Sequence, residues 1–216
     1  MSNRKRILFI ILPVLLILST SVVFYTATLF FGRNWGYITG FFFYYIIWCL
    51  IIPLTLTRRK FLNFFKSESS FLKWKNWWIV ILFASTVISP VFMFFIPKFA
   101  SINPWLILLA VPLSIIHGHC EELFWRGLYV KEFPGSIVWS IIVPSVFFTL
   151  WHIAPQFSIR SEHPVIFIIS TIPLGVTYAI VSFVTKSAGW SAAGHAISTF
   201  FAFSLPISLC ILNIIG

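Results

Sequence analysis

The chain contains no aspartate: its acids are Glu68, Glu121, Glu122, Glu132 and Glu162. Aspartic dyad chemistry is therefore excluded, because it needs two paired aspartates. Charged residues make up only 9% of the sequence, whereas a soluble domain carries roughly a quarter. Three cysteines, Cys49, Cys120 and Cys210, lie in apolar runs without CxxC spacing. That pattern supports neither a disulfide framework nor a thiolate metal centre, and small buried apolar roles are expected. No HExxH is present, so the helical zinc-protease motif is absent. No GxSxG elbow is present either. The stretch "GWSAAG" carries Ser191 at the wrong spacing, and its small residues suit helix packing. The apolar runs lack period-two alternation, which argues against a membrane barrel.

What is present is long and apolar. Hydrophobic residues make up 59% of the 216 positions, including 26 Phe and 10 Trp. Crossing a bilayer takes about 20 apolar residues in a helix. Seven runs qualify: Ile7–Phe31, Trp35–Leu56, Trp77–Phe99, Pro104–Tyr129, Gly135–His152, Pro164–Val184 and Ala188–Ile214. The expected fold is all-α, a polytopic membrane protein of about seven transmembrane helices. The basic start "MSNRKR" before the first run resembles a signal sequence. The run is long for a cleaved signal, so a retained first helix is expected.

Basic residues test this layout. With the N-terminus in the cytoplasm, eleven fall inside: Arg4, Lys5, Arg6, Arg58, Arg59, Lys60, Lys66, Lys73, Lys75, Lys131 and Lys186. Only Arg33, Lys98 and Arg160 fall outside. The asymmetry follows the positive-inside bias, and it accounts for the net charge of +10 without a nucleic-acid partner. The segment 57–75 mixes Arg and Lys with aromatics and is expected to lie on the cytoplasmic membrane surface. Residues 1–103 then form N-terminal helices, and residues 104–216 carry the chemistry.

That chemistry centres on "HGHCEELFWRG", His117 to Gly127. Carboxylates inside a spanning helix are costly and mark function by default. Neighbours on a helix point ~100° apart, so Glu121 and Glu122 cannot share one role. Glu122 and Arg126 are spaced i,i+4 in the favourable order for an ion pair. Glu121 is left without a clear local partner, which suits a general base. His152, with Phe148 one turn before it, and His195, with Thr199 one turn after it, lie in two later helices. Glutamate with histidine points to water activation. His117 sits i−4 from Glu121 on the same face and is placed to tune it or join a metal. His119 reads as structural and His163 as solvated.

Three motifs carry a resemblance. "EELFWRG" (Glu121 to Gly127), "FTLWH" (Phe148 to His152) and "HAIST" (His195 to Thr199) resemble the EExxxR, FxxxH and HxxxN patterns of the CPBP family. These are the CAAX protease and bacteriocin-processing, or Abi, glutamic-type intramembrane endopeptidases, including the type II CAAX prenyl endopeptidases. The similarity spans roughly residues 104–214. It implies cleavage of a membrane-associated protein or peptide, with CAAX removal in eukaryotic members and bacteriocin or maturation processing in prokaryotic ones. It implies that Glu121 and His152 activate water. It also implies that His195 and residue 199 hold the oxyanion, and that Glu122 and Arg126 support the site. Position 199 is Thr where the family usually has Asn.

No cofactor is expected. Were zinc bound, Glu121, His152 and His195 would supply its three protein ligands. The expected partners are a membrane-anchored substrate and the lipid bilayer, with the chain as a multi-pass protein of a prokaryotic plasma membrane. Two other classes stay open: a non-catalytic scaffold or immunity protein that retains the fold, and a transporter using Glu121 as a proton relay.

Overall fold

The computed structural model describes residues 3–58, 60–101, 104–202 and 209. Among these, all regular structure is helical. Among the described residues, six helices are long and apolar enough to cross a membrane: α1 (Asn3–Phe31), α2 (Arg33–Thr57), α3 (Trp74–Phe95), α4 (Trp105–Glu132), α5 (Val138–Phe157) and α6 (Pro164–Thr185). The seventh expected run is helical over α7 (Gly189–Ala202). Its remainder to Ile214 lies outside the described residues, apart from Leu209. Cys210 falls there too.

Apolar side chains point outward as well as inward. Ile7, Leu18, Val22, Ile81, Val165, Ile166 and Ile169 are all more than half exposed. A soluble protein rarely leaves so much contiguous apolar surface open; lipid is the solvent such a surface fits. The core is aromatic and joins α1, α2, α4 and α5 through Phe9, Phe24, Tyr44, Trp48, Phe124, Trp125, Tyr129, Phe148 and Trp151. A smaller cluster of Phe71, Ile79 and Val181, with Phe83 packed on it, ties α3 to α6.

Among the described residues, four helices contain wider π-helical stretches. Three of these adjoin prolines. Tyr44–Ile51 precedes Pro53, Val138–Ile142 precedes Pro144, and Val91–Phe95 lies between Pro90 and Pro97. Proline lacks the N–H of the regular ladder, so neighbouring turns adjust. The fourth, Leu123–Leu128 in α4, contains no proline. It begins directly after Glu122, and such bulges often occur at functional sites.

Ion pairs sort the connections by end. Lys5 pairs with Glu132 at 2.8 Å, while Lys131 and Lys186 approach Glu68 at 3.1 and 3.7 Å. The start of α1, the end of α4, the 58–73 segment and the α6–α7 turn therefore share one end of the bundle. At the other end, Ser158 beyond α5 bonds Thr28 of α1 at 2.6 Å and accepts from Arg33 at 3.5 Å. The basic 57–75 segment is docked rather than only peripheral. Phe64 and Phe71 are buried, and the Ala188 N–H donates to the Phe64 carbonyl at 2.8 Å. Leu62 and Trp74, 75% and 90% exposed, still face outward.

Candidate active site

The site forms where α4 and α7 touch. Gly118 makes this approach possible: a Cβ there would lie 2.6 Å from the Ala196 amide nitrogen and 2.9 Å from the Ala192 carbonyl. With backbones this close, small residues replace side-chain packing. His195 on α7 is thereby held against Glu121 and Glu122 on α4.

Glu122 is the organising group. Its Oε1 lies 3.1 Å from Arg126 and 2.9 Å from His195 Nδ1, and Glu122, Arg126 and His195 are all buried. The expected i,i+4 pair is thus formed, and it reaches a second helix that the sequence did not connect to it. A carboxylate paired with arginine only accepts hydrogen bonds, so His195 donates from Nδ1. In the neutral ring, that assignment leaves Nε2 with a lone pair. Arg126 also donates to the Gly175 carbonyl at 3.0 Å and lies 4.3 Å from the Phe148 ring centroid. Ser145 donates to the same carbonyl at 3.2 Å. One guanidinium therefore ties together α4, α5 and α6.

Glu121 is fully buried, and neither of its carboxylate oxygens accepts a hydrogen bond among the described residues. Two imidazole nitrogens flank Oε2: His117 Nε2 at 3.6 Å and His195 Nε2 at 3.7 Å. The two rings meet edge to face at 5.2 Å. On the far side of His117, Nδ1 is 2.7 Å from the Tyr45 hydroxyl of α2. Tyr44, the preceding residue, accepts from the Trp125 indole at 2.7 Å and stacks on Trp151 at 4.1 Å.

His152 joins this group through an aromatic side chain. It packs on Phe148 at 4.7 Å, and Phe148 in turn meets His195 at 6.0 Å. Its Nδ1–H donates to the Phe148 carbonyl at 2.8 Å, so Nε2 is the nitrogen left to accept. Thr199 is buried one turn beyond His195, at 2% exposure. His119 donates to the Ile115 carbonyl at 2.9 Å, as a structural histidine would.

The set able to hold a metal differs from the expected Glu121, His152 and His195. Among the described residues, His117, Glu121 and His195 place their ligand atoms within 4.8 Å of one another. His117 thus stands where His152 was expected. The sequence signal for it was its i−4 spacing from Glu121. Tyr45 and Gly118 carried no such signal, because a tyrosine in "FFFYYIIW" and a glycine between two histidines look like ordinary membrane-helix composition.

Residues 103–201 match the family described as type II CAAX prenyl endopeptidase Rce1-like. The matched segment contains Glu121, Glu122, Arg126, Phe148, His152, His195 and Thr199. No curated protein and no solved structure matches the chain.

Proposed function

We propose, from the membership of residues 103–201 in the type II CAAX prenyl endopeptidase Rce1-like family, that the chain is an intramembrane endopeptidase acting on a membrane-anchored protein or peptide. The observation that carries this reading is the buried Glu121 carboxylate, which accepts no hydrogen bond among the described residues and is flanked by His195. Such a group in an apolar bundle is expensive unless it has work to do.

Glu121 accepts a proton from water, with His152 orienting that water, while the water oxygen attacks the scissile carbonyl carbon. The developing oxyanion is met by His195 and Thr199. With Nδ1–H given to Glu122, the nitrogen of His195 that faces the oxyanion is Nε2, which donates there only when it carries a proton. The C–N bond then breaks, and the departing amine takes the proton from Glu121. Glu122 and Arg126 position His195, and Phe148 spaces His152 from it. The end carrying Lys5, Lys131 and Lys186 faces the cytoplasm on the positive-inside bias.

The alternative of a non-catalytic scaffold or immunity protein draws on one observation, the threonine at position 199. The test is hydrolysis by the purified chain in liposomes. Prenylated CAAX-type peptides and unprenylated membrane-anchored peptides are offered in parallel and read by mass spectrometry. The endopeptidase reading expects a truncated product with the parent and none with Glu121→Gln. Intact peptide with a folded parent protein favours the scaffold.

A further inference from the structure

We propose that the connection between α2 and α3, residues 58–75, is a binding surface for anionic phospholipid headgroups, and that it passes this contact inward to α4 and α7. The surface uses none of the atoms of the Glu121 site.

Its position follows from topology. α2 ends at Thr57 and α3 begins at Trp74. A connection joining two spanning helices runs at the membrane boundary, because lipid cannot satisfy irregular backbone. Its outer face carries two kinds of group. Arg58, Lys60, Lys66, Lys73 and Lys75 are exposed. None of the five pairs with a carboxylate among the described residues. Glu68, the one acid in this stretch, is taken by Lys131 and Lys186 from elsewhere in the bundle. Between the cations, Phe61, Leu62, Leu72, Trp74 and Trp77 are exposed. Indole rings sit at the headgroup level, and long basic side chains reach phosphates from there. An acidic soluble partner would neutralise the amines but leave Leu62 and Trp74 in water. A layer of anionic lipid covers both.

The inner face is built into the bundle. Phe64 and Phe71 are buried. Phe64 lies over Gly127 of α4, where a Cβ would stand 3.0 Å from its ring. Phe65 meets the His119 ring of α4 at 5.3 Å. Its carbonyl oxygen occupies the space that a Cβ at Gly189 of α7 would need. The Ala188 N–H donates to the Phe64 carbonyl, and Phe71 meets Trp190 of α7 at 5.3 Å. His119 is two residues before Glu121, and Gly189 is six before His195. One short connection therefore touches both helices that build the site. Headgroups that hold its outer face also hold its inner face against α4 and α7. Zwitterionic lipid, with no net charge, lacks that grip.

The test is amide hydrogen exchange of the full chain in nanodiscs of phosphatidylcholine alone and of phosphatidylcholine mixed with phosphatidylglycerol. The probes are Glu68 and Ala188, whose N–H groups donate to the Thr185 and Phe64 carbonyls. Both should exchange more slowly in the mixed membrane, by at least roughly fivefold, the factor for one basic side chain near an anionic surface. Added salt should shrink the difference. Replacing Lys60, Lys66, Lys73 and Lys75 together by Gln should erase it, and replacing all four by Arg should keep it. Melting curves in detergent establish that both variants are folded. Equal exchange of the parent in the two membranes overturns the proposal. So does a lipid effect that survives in the Gln variant. Slowing by soluble polyglutamate in phosphatidylcholine, with none by phosphatidylglycerol, would assign the surface to an acidic protein instead. The exchange readout needs no cleavage, so it stands or falls apart from the endopeptidase reading. Where that reading holds, cleavage by the parent should rise in the mixed membrane and cleavage by the Gln variant should not. Lipid-independent cleavage with the exchange effect intact refutes the link to α4 and α7.

Discussion

The two adjacent glutamates are not equivalent, and their variants should separate. Glu122 is locked to Arg126 and His195, whereas the Glu121 oxygens accept no hydrogen bond within bonding geometry among the described residues. Glu121→Gln should abolish cleavage with near-parental folded yield. Glu122→Gln should chiefly destabilise, by about 3–5 kcal/mol, because Arg126 is left buried without its counter-charge. Detergent melting curves beside single-turnover cleavage check both; equal folded yield and equal cleavage in the two variants would remove the division of roles. Thr199 lies on the His195 face one turn on. Losing one oxyanion donor costs roughly 10²–10³ in rate. Thr199→Val should therefore lower turnover more than binding, and Thr199→Asn should retain or raise it. Parental turnover in Thr199→Val would make residue 199 a packing residue. The motif residues were legible because charge in an apolar run is rare and each charged group must find company. The contact between His195 and Glu122 was not, because i,i+4 logic works within one helix and says nothing of which helix faces it.

At the scale of the element, six of the seven expected apolar runs are long apolar helices, and the seventh is helical over Gly189–Ala202; they were readable from length, since the bilayer fixes how long a spanning helix must be. Pairing between helices was not readable, because lipid-facing and core-facing positions are equally apolar here. Trp125 is fully buried and Trp105 is 74% exposed, both on α4. Depth was partly readable. His152 lies fourteen residues into α5 and His195 six into α7. At ~1.5 Å per residue, His152 sits deeper from the common end, which accounts for Phe148 standing between it and His195. The α4–α7 contact rests on Gly118. Gly118→Ala should push α7 away, cost about 1–3 kcal/mol and impair cleavage. An Ala192→Gly background leaves the Ala196 amide clash in place and should not rescue it. Cleavage at the parental rate in Gly118→Ala would show that the close approach is dispensable.

Across the whole molecule, basic connections gather at one end, and Glu68 links them. The hydrogen bond and charge of Lys131 hold the Glu68 carboxyl below its ordinary value, with Lys186 adding to this. A depressed carboxyl stabilises above its unfolded value, about 4.3, and loses that contribution as pH falls through the lower folded value. The Glu68 N–H also donates to the Thr185 carbonyl at 3.0 Å. Hydrogen exchange at Glu68 should thus show weaker protection below about pH 4, and Glu68→Gln should show the weaker protection at all pH. An unchanged profile in Glu68→Gln would exclude this clamp. The central claim is that water activated at Glu121 hydrolyses a peptide bond. Its most direct test is cleavage in H₂¹⁸O by the parent and Glu121→Gln in matched liposomes, with product termini read by mass spectrometry. The account predicts a shortened membrane peptide carrying one ¹⁸O at its new C-terminus with the parent, and none with Glu121→Gln. Identical termini from two equally folded proteins would contradict it.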